Sequence, residues 1–150
     1  MSEEKIKCRA EEFADILLGL RQRFNEEEVD FLKRTQCMSV VQLKVLLIIA
    51  SKQPCTMGAV AKKVPSLSLS SITVIVDKLV KTEFVARVRC EDDRRVVRVQ
   101  LTQKGQELYD SYRDAMRKMS SRLMHSLDED EQEFLLKTYR KIIGVCNKES

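Results

Sequence analysis

Residues that interrupt a backbone are scarce in this chain. Its 150 residues include four glycines and two prolines, which favours helix over a turn-rich β architecture. Histidine is scarcer still. The single His125 stands between Met124 and Ser126 in a helical stretch, so no multi-histidine metal site and no Ser-His-Asp arrangement can form. Glycine-rich phosphate loops are absent as well. An enzyme is therefore not expected, nor is a metal or a cofactor. The five cysteines, Cys8, Cys37, Cys55, Cys90 and Cys146, are odd in number and include no CxxC pair. That spacing supports neither a zinc site nor a disulfide framework, and buried reduced thiols are expected instead. The longest apolar run, residues 45–50, is far below the roughly 20 residues that cross a bilayer. The start, Met1-Ser2-Glu3-Glu4-Lys5, leads into no apolar signal segment. A cytoplasmic chain with no membrane partner is expected.

What the chain does have is charge and amphipathic periodicity: 43% of its residues are hydrophobic and 33% charged. That balance fits one soluble domain rich in amphipathic helix, long enough to bury a core. The formal net charge is only +4, but its distribution is uneven. Residues 56–105 carry Lys62, Lys63, Lys78, Lys81, Arg87, Arg89, Arg94, Arg95, Arg98 and Lys104. Against these stand Asp77, Glu83, Glu91, Asp92 and Asp93. The window is thus net positive and the remainder close to neutral, an electrostatic footprint suited to phosphate.

Within that window the organising feature is a pair of β-branched runs, Val85-Ala86-Arg87-Val88-Arg89-Cys90 and Val96-Val97-Arg98-Val99-Gln100-Leu101. They flank the charged tip Glu91-Asp92-Asp93-Arg94-Arg95, and the alternation reads as a β-hairpin. The expectation is that Ala86, Val88 and Cys90 face in with Val97, Val99 and Leu101, leaving Arg87, Arg89 and Arg98 outward. Upstream, residues 56–64 and 68–82 read as two short helices. Pro65 ends the first and Ser68 or Ser70 caps the second. The second buries Leu69, Ile72, Val76 and Leu79 and turns Ser70, Thr73, Val74, Asp77 and Lys81 outward. Two short helices and an appended hairpin make a winged helix-turn-helix. Downstream, Thr102 caps another long helix.

Outside the window, Ile6, Ala10, Phe13, Leu17, Leu20 and Phe24 recur at spacings of four and three, a coiled-coil-like seam. Asn25-Glu26-Glu27-Glu28 is expected to end this first helix, with Val29, Phe31 and Leu32 forming a separate short segment. Ser39 and Gln42 fit a capping box opening a core helix over residues 40–51, and Lys52-Gln53-Pro54-Cys55 reads as a loop before Thr56 caps the next helix. After Gly105 come Leu108, Tyr112, Met116, Met119, Leu123 and Leu127. A further helix from Asp128 carries Phe134, Leu135, Tyr139, Ile142 and Cys146. These seams exceed what one lobe can cover, so a homodimer held by both chain ends is expected. Its candidate contacts are Ile6, Ala10, Phe13, Leu17, Met119, Leu123, Phe134, Leu135, Tyr139 and Ile142.

Three blocks in fixed order resemble the signature of MarR-type transcription regulators: Leu79-Val80-Lys81-Thr82-Glu83-Phe84-Val85, then Asp93-Arg94-Arg95, then Leu101-Thr102-Gln103-Lys104-Gly105. Nearly the whole chain fits the family's element order. It departs at Val74, where the family often has a polar or basic residue. The resemblance implies a mostly α chain with a small β-hairpin, a winged helix-turn-helix joined to a long helical dimerisation region. The divisions fall at 1–34 (dimerisation helix), 35–105 (DNA-binding lobe) and 106–150 (dimerisation helices). It also implies a regulator, by expectation a repressor, that binds double-stranded DNA at a pseudo-palindromic operator. Release would follow entry of a small anionic aromatic ligand between the dimer helices and the lobe.

For such a dimer, two recognition helices enter successive major grooves about one turn (~34 Å) apart. Ser68, Ser70, Ser71 and Thr73 are the expected contacts. Taken alone these hydroxyls read as caps, whereas beside a basic hairpin they read as entering a groove. Val74 either meets a thymine methyl or tucks against its own helix pair. Lys62, Lys63, Lys78 and Arg87 are expected on phosphates. Arg94 and Arg95 would reach a minor groove, and the resemblance implies that Asp93 pairs with and orients Arg95. Some members of that family sense peroxide through a cysteine near the N-terminus, which makes Cys8 a redox candidate, although burial as a small hydrophobe is the expectation. A thiol-based redox-sensing regulator and a winged-helix protein-interaction module without DNA binding are the alternative readings.

Overall fold

The computed structural model describes residues 3–89 and 96–146. They fall into two compact units, one running to Tyr112 and the other beginning at Arg113.

The first unit opens with α1, Glu3–Thr35. It is one continuous helix and does not end at the expected Asn25–Glu28 segment. Nothing there forces a break, since glutamates propagate helix well and neither proline nor glycine intervenes. What carries the helix onward is burial at its far end. Phe31 and Leu32 are buried, Phe31 meets Tyr112 edge-on at 5.5 Å between ring centroids, and the Tyr112 hydroxyl donates to Glu28 Oε1 at 2.9 Å. The helix closes where Gln36 takes a left-handed φ of 45° and donates its amide to the Leu32 carbonyl at 2.8 Å, an αL cap.

Helix α2, Val40–Ser51, begins with the reciprocal Ser39–Gln42 capping box. Its Leu43, Val45, Leu46 and Ile49 are fully buried on several faces, making it the centre on which the lobe is built. Around it lie α3, Met57–Lys63, capped by Thr56, and α4, Leu69–Lys81, capped by Ser68. Val60 of α3 and Ile72, Val76 and Leu79 of α4 complete the dry interior. Leu69, expected inside, is 55% exposed. It sits in the first turn of α4, one turn before the buried stripe begins.

The sheet has three antiparallel strands in the order β1-β3-β2. Strand β1 is Cys55–Thr56, inside the segment expected to be a loop with a cap. The hairpin strands are β2, Val85–Arg89, and β3, Val97–Leu101. Their register pairs Val85 with Leu101, Arg87 with Val99 and Arg89 with Val97. Opposed residues share a face, so the expected division into an apolar face and an arginine face is overturned. Val85, Val99 and Leu101 are buried at the base of one face, and Arg87 and Arg89 continue that same face toward the tip. Ala86, Val88, Arg98 and Gln100 share the other and are all half-buried.

Helix α4 leaves through a Schellman motif. Glu83 adopts a φ of 64°, its amide donates to the Val80 carbonyl at 3.0 Å, and the Phe84 amide donates to that of Leu79 at 2.9 Å. Here the start of α5, Gln103–Met124, is fastened. The Thr102 amide donates to the Phe84 carbonyl at 3.1 Å, its hydroxyl to the Glu83 carbonyl at 2.6 Å, and Lys104 Nζ to the Thr82 carbonyl at 2.9 Å. The first and third blocks of the sequence signature are thus two sides of one clasp.

In the second unit the rest of α5 leads through a short turn to α6, Glu129–Cys146. Asp128 and Glu131 form a reciprocal capping box at 2.9 and 3.0 Å. The Gln132 side chain donates from Nε2 to the carbonyls of Met124 and Leu127, each at 3.0 Å, fixing the turn.

Candidate nucleic-acid interface

Helix α4 has two chemically distinct sides. Its buried stripe anchors it to the lobe, and its other side is short, hydroxylated and largely exposed. Ser68 is the cap: its Oγ accepts from the Ser71 amide at 3.1 Å and lies 2.8 Å from the hydroxyls of both Ser70 and Ser71. Ser70 and Ser71 are themselves exposed, close to the amides at the positive end of the helix dipole. Thr73 is half-buried and donates its hydroxyl proton to the Leu69 carbonyl at 2.9 Å, leaving its lone pairs outward. Val74 is 55% exposed. The side chain therefore does not tuck against the helix pair.

Cations flank this side. Lys62 and Lys63 occupy the last turn of α3 and Lys78 the last turn of α4, and all three are exposed. Arg87 is placed differently from expectation. Its guanidinium donates from Nη2 to Asp77 Oδ1 at 2.5 Å, tying β2 to the middle of the exposed side of α4. The hairpin-tip residues Asp93, Arg94 and Arg95, and Cys90 with them, lie outside the described residues.

The expected pairing surface is also laid out. On α1, Ala10 is exposed, Ile6 is 50% exposed and Phe13 and Leu17 more than 40%. Leu123 of α5 and Phe134 and Tyr139 of α6 are exposed, with Phe134 at 71%. Leu135 and Ile142 are half-buried, and Met119 is buried. Cys8, expected to be buried, is exposed, because the part of α1 that carries it is not covered by its own lobe. Cys55 is buried, and burial raises its thiol pKa above the ordinary value.

Two features of the lobe went unread in the sequence. Asp77, on the outward side of α4, is the sole acid of that helix. Gln53, in a segment expected to be a loop, accepts at Oε1 from the Leu101 amide at 2.7 Å, closing the end of β3.

Comparisons with known proteins agree with this architecture. The model of the MarR family matches residues 38–97, from just before α2 to the start of β3. The uncharacterized HTH-type transcriptional regulator YcgE of Bacillus subtilis is 32% identical over 108 residues, covering 71% of this chain and 69% of its own. A second regulator of that organism, YhbI, is 29% identical over 141 residues, 88% of each chain. Among solved structures, Streptococcus pneumoniae FabT in complex with DNA superposes with a TM-score of 0.74 at 23% identity, covering 92% of this chain and 99% of that one. The winged lobe, the clasp between the end of α4 and the start of α5, and the extent of these matches lead to one placement: the chain belongs to the MarR family of transcriptional regulators.

Proposed function

We propose that this chain regulates transcription by binding double-stranded DNA as a homodimer, with α4 entering the major groove. The observation that carries the reading is the two-sided character of α4. Ile72, Val76 and Leu79 are fully buried, and Ser70, Ser71, Val74 and Lys78 are presented outward between the lysines of α3 and the wing. Support also comes from the DNA complex of FabT, which shares the fold. In this reading Ser68 caps the helix, Ser70, Ser71, Thr73 and Val74 meet base edges or nearby phosphates, and Lys62, Lys63 and Lys78 neutralise backbone. Arg94 and Arg95, which lie outside the described residues, are expected to reach the adjacent minor groove, with Asp93 pairing with and orienting Arg95. Residues 1–34 and 106–150 pair two chains so that both lobes address one side of a pseudo-palindromic duplex, where occupancy of a promoter represses.

The test is a fluorescence-anisotropy titration of duplex DNA at several salt concentrations. Specific binding with a log–log salt slope of about −0.9 per phosphate contact is expected. Salt-independent or absent binding would favour a winged helix that serves protein contacts only.

A further inference from the structure

We propose that Asp77 and Arg87 form a charge-neutral strut between recognition helix and wing, and that by withholding Arg87 from phosphate it sharpens discrimination between operator and random duplex. The proposal rests on the DNA-binding reading above. Unlike Lys33–Asp30 or Arg117–Asp114, each spanning one turn of a single helix, this pair joins two elements. Both partners are about half exposed, and pairs so exposed add little to fold stability. Its worth is therefore geometric and electrostatic.

The geometry explains why these two residues meet. Arg87 lies opposite Val99 in the register and between Val85 and Arg89 on the strand, on the face whose base is buried. It stands where the hairpin lifts off the core, so its side chain reaches across to α4 while remaining about half exposed. Asp77 shares the exposed side of α4 with Ser70 and Val74, seven and three residues away. A bare carboxylate there would repel phosphate. A bare arginine there would grip any phosphate irrespective of sequence. Paired at 2.5 Å, each cancels the other's sequence-blind effect, and the wing is held at a set distance from the helix.

The test uses the full-length chain, duplexes enriched by the wild type from a randomised pool, and a random duplex of equal length. Asp77→Asn frees Arg87. Affinity for the random duplex should rise, its salt slope should steepen by about 0.9, and the enriched-to-random ratio should fall several-fold. One added contact of that slope makes the gain about 3.5-fold larger at 50 mM than at 200 mM salt. Arg87→Gln leaves Asp77 bare and should weaken both duplexes. The reversed pair, Asp77→Arg with Arg87→Asp, should restore the ratio, which two independent DNA contacts would not do. Wild-type binding with an unchanged slope in Asp77→Asn, or a reversed pair that folds but does not restore the ratio, overturns the strut alone. No duplex binding by the wild type overturns the DNA-binding reading, and the strut with it.

Discussion

Replacing Gly105 by alanine tests how the lobe is closed, because two ordinary expectations for that change have opposite signs. In a helix, Gly→Ala normally stabilises by about 0.4–1 kcal/mol by restricting the unfolded chain. At Gly105 a Cβ would lie 2.0 Å from the Phe84 carbonyl oxygen, 3.0 Å from its carbon and 3.3 Å from Leu101 Cβ. That carbonyl cannot simply swing away. It accepts from the Thr102 amide, and the Phe84 amide is committed to Leu79. Relief means drawing α5 off the end of α4. That strains or breaks the Thr102 amide and hydroxyl bonds, about 0.5–1.5 kcal/mol each, with a further overpacking cost of about 1–3 kcal/mol. Set against the helix gain, the net expectation is a loss of about 1–5 kcal/mol. Urea denaturation followed by circular dichroism at fixed protomer concentration measures it. Gly58, where a Cβ would meet nothing within 4 Å, is the control and should gain slightly on substitution. Equal stability of Gly105→Ala and Gly58→Ala would refute the clasp as a rigid contact.

Three further outcomes follow. Val74→Ala should leave stability within about 0.5 kcal/mol, as for an exposed position, while removing the affinity difference between thymine- and uracil-containing operators; a difference that persists takes Val74 out of base contact. Phe13→Glu places a charge on the exposed seam of α1 and should give monomers in sedimentation, with operator affinity falling at least about a hundredfold through lost bivalency; a stable dimer would move the interface elsewhere. The phenol of Tyr112 is pushed above the ordinary 10.0, first by burial, then by its hydrogen bond to Glu28 and the charge of that carboxylate. The folded state therefore holds the proton more tightly than the unfolded one. The stabilisation is fully present below pH 10 and is lost as pH rises beyond it. Wild-type melts should show this alkaline loss and Tyr112→Phe should not; identical pH profiles would remove the Tyr112–Glu28 bond from the stability of α1.

Much of the fold could be read from local chemistry. Ser39, Thr56, Ser68 and Thr102 each precede a helix and each accepts from an amide three residues on, so the starts of α2 to α5 were written in residues that seldom serve elsewhere. Length was harder. The end of α1 is decided by Phe31 and Leu32 finding cover, a tertiary event to which the polar run at residues 25–28 is indifferent. Strand β1, at two residues, is too short to carry any period and exists because Cys55 and Thr56 find partners in Val99 and Arg98.

The site shows the same division at finer grain. The exposed hydroxyls and lysines could be named in advance because exposure on a short helix follows from where its apolar stripe lies. The role of Arg87 could not, because it depends on parity between two strands. Pairing residues that sum to an even number, as Val85 with Leu101 does, puts odd positions on both strands on one face; a shift of a single residue would have matched Ala86 and Val88 with Val97 and Val99. Both registers satisfy alternation within each strand, so the pattern cannot choose between them. The choice is made at the base, where Val85, Val99 and Leu101 must all enter the core. Once they do, Arg87 is carried to the inner side and meets Asp77. A cation that composition alone would leave in solvent is thereby paired with a carboxylate of α4.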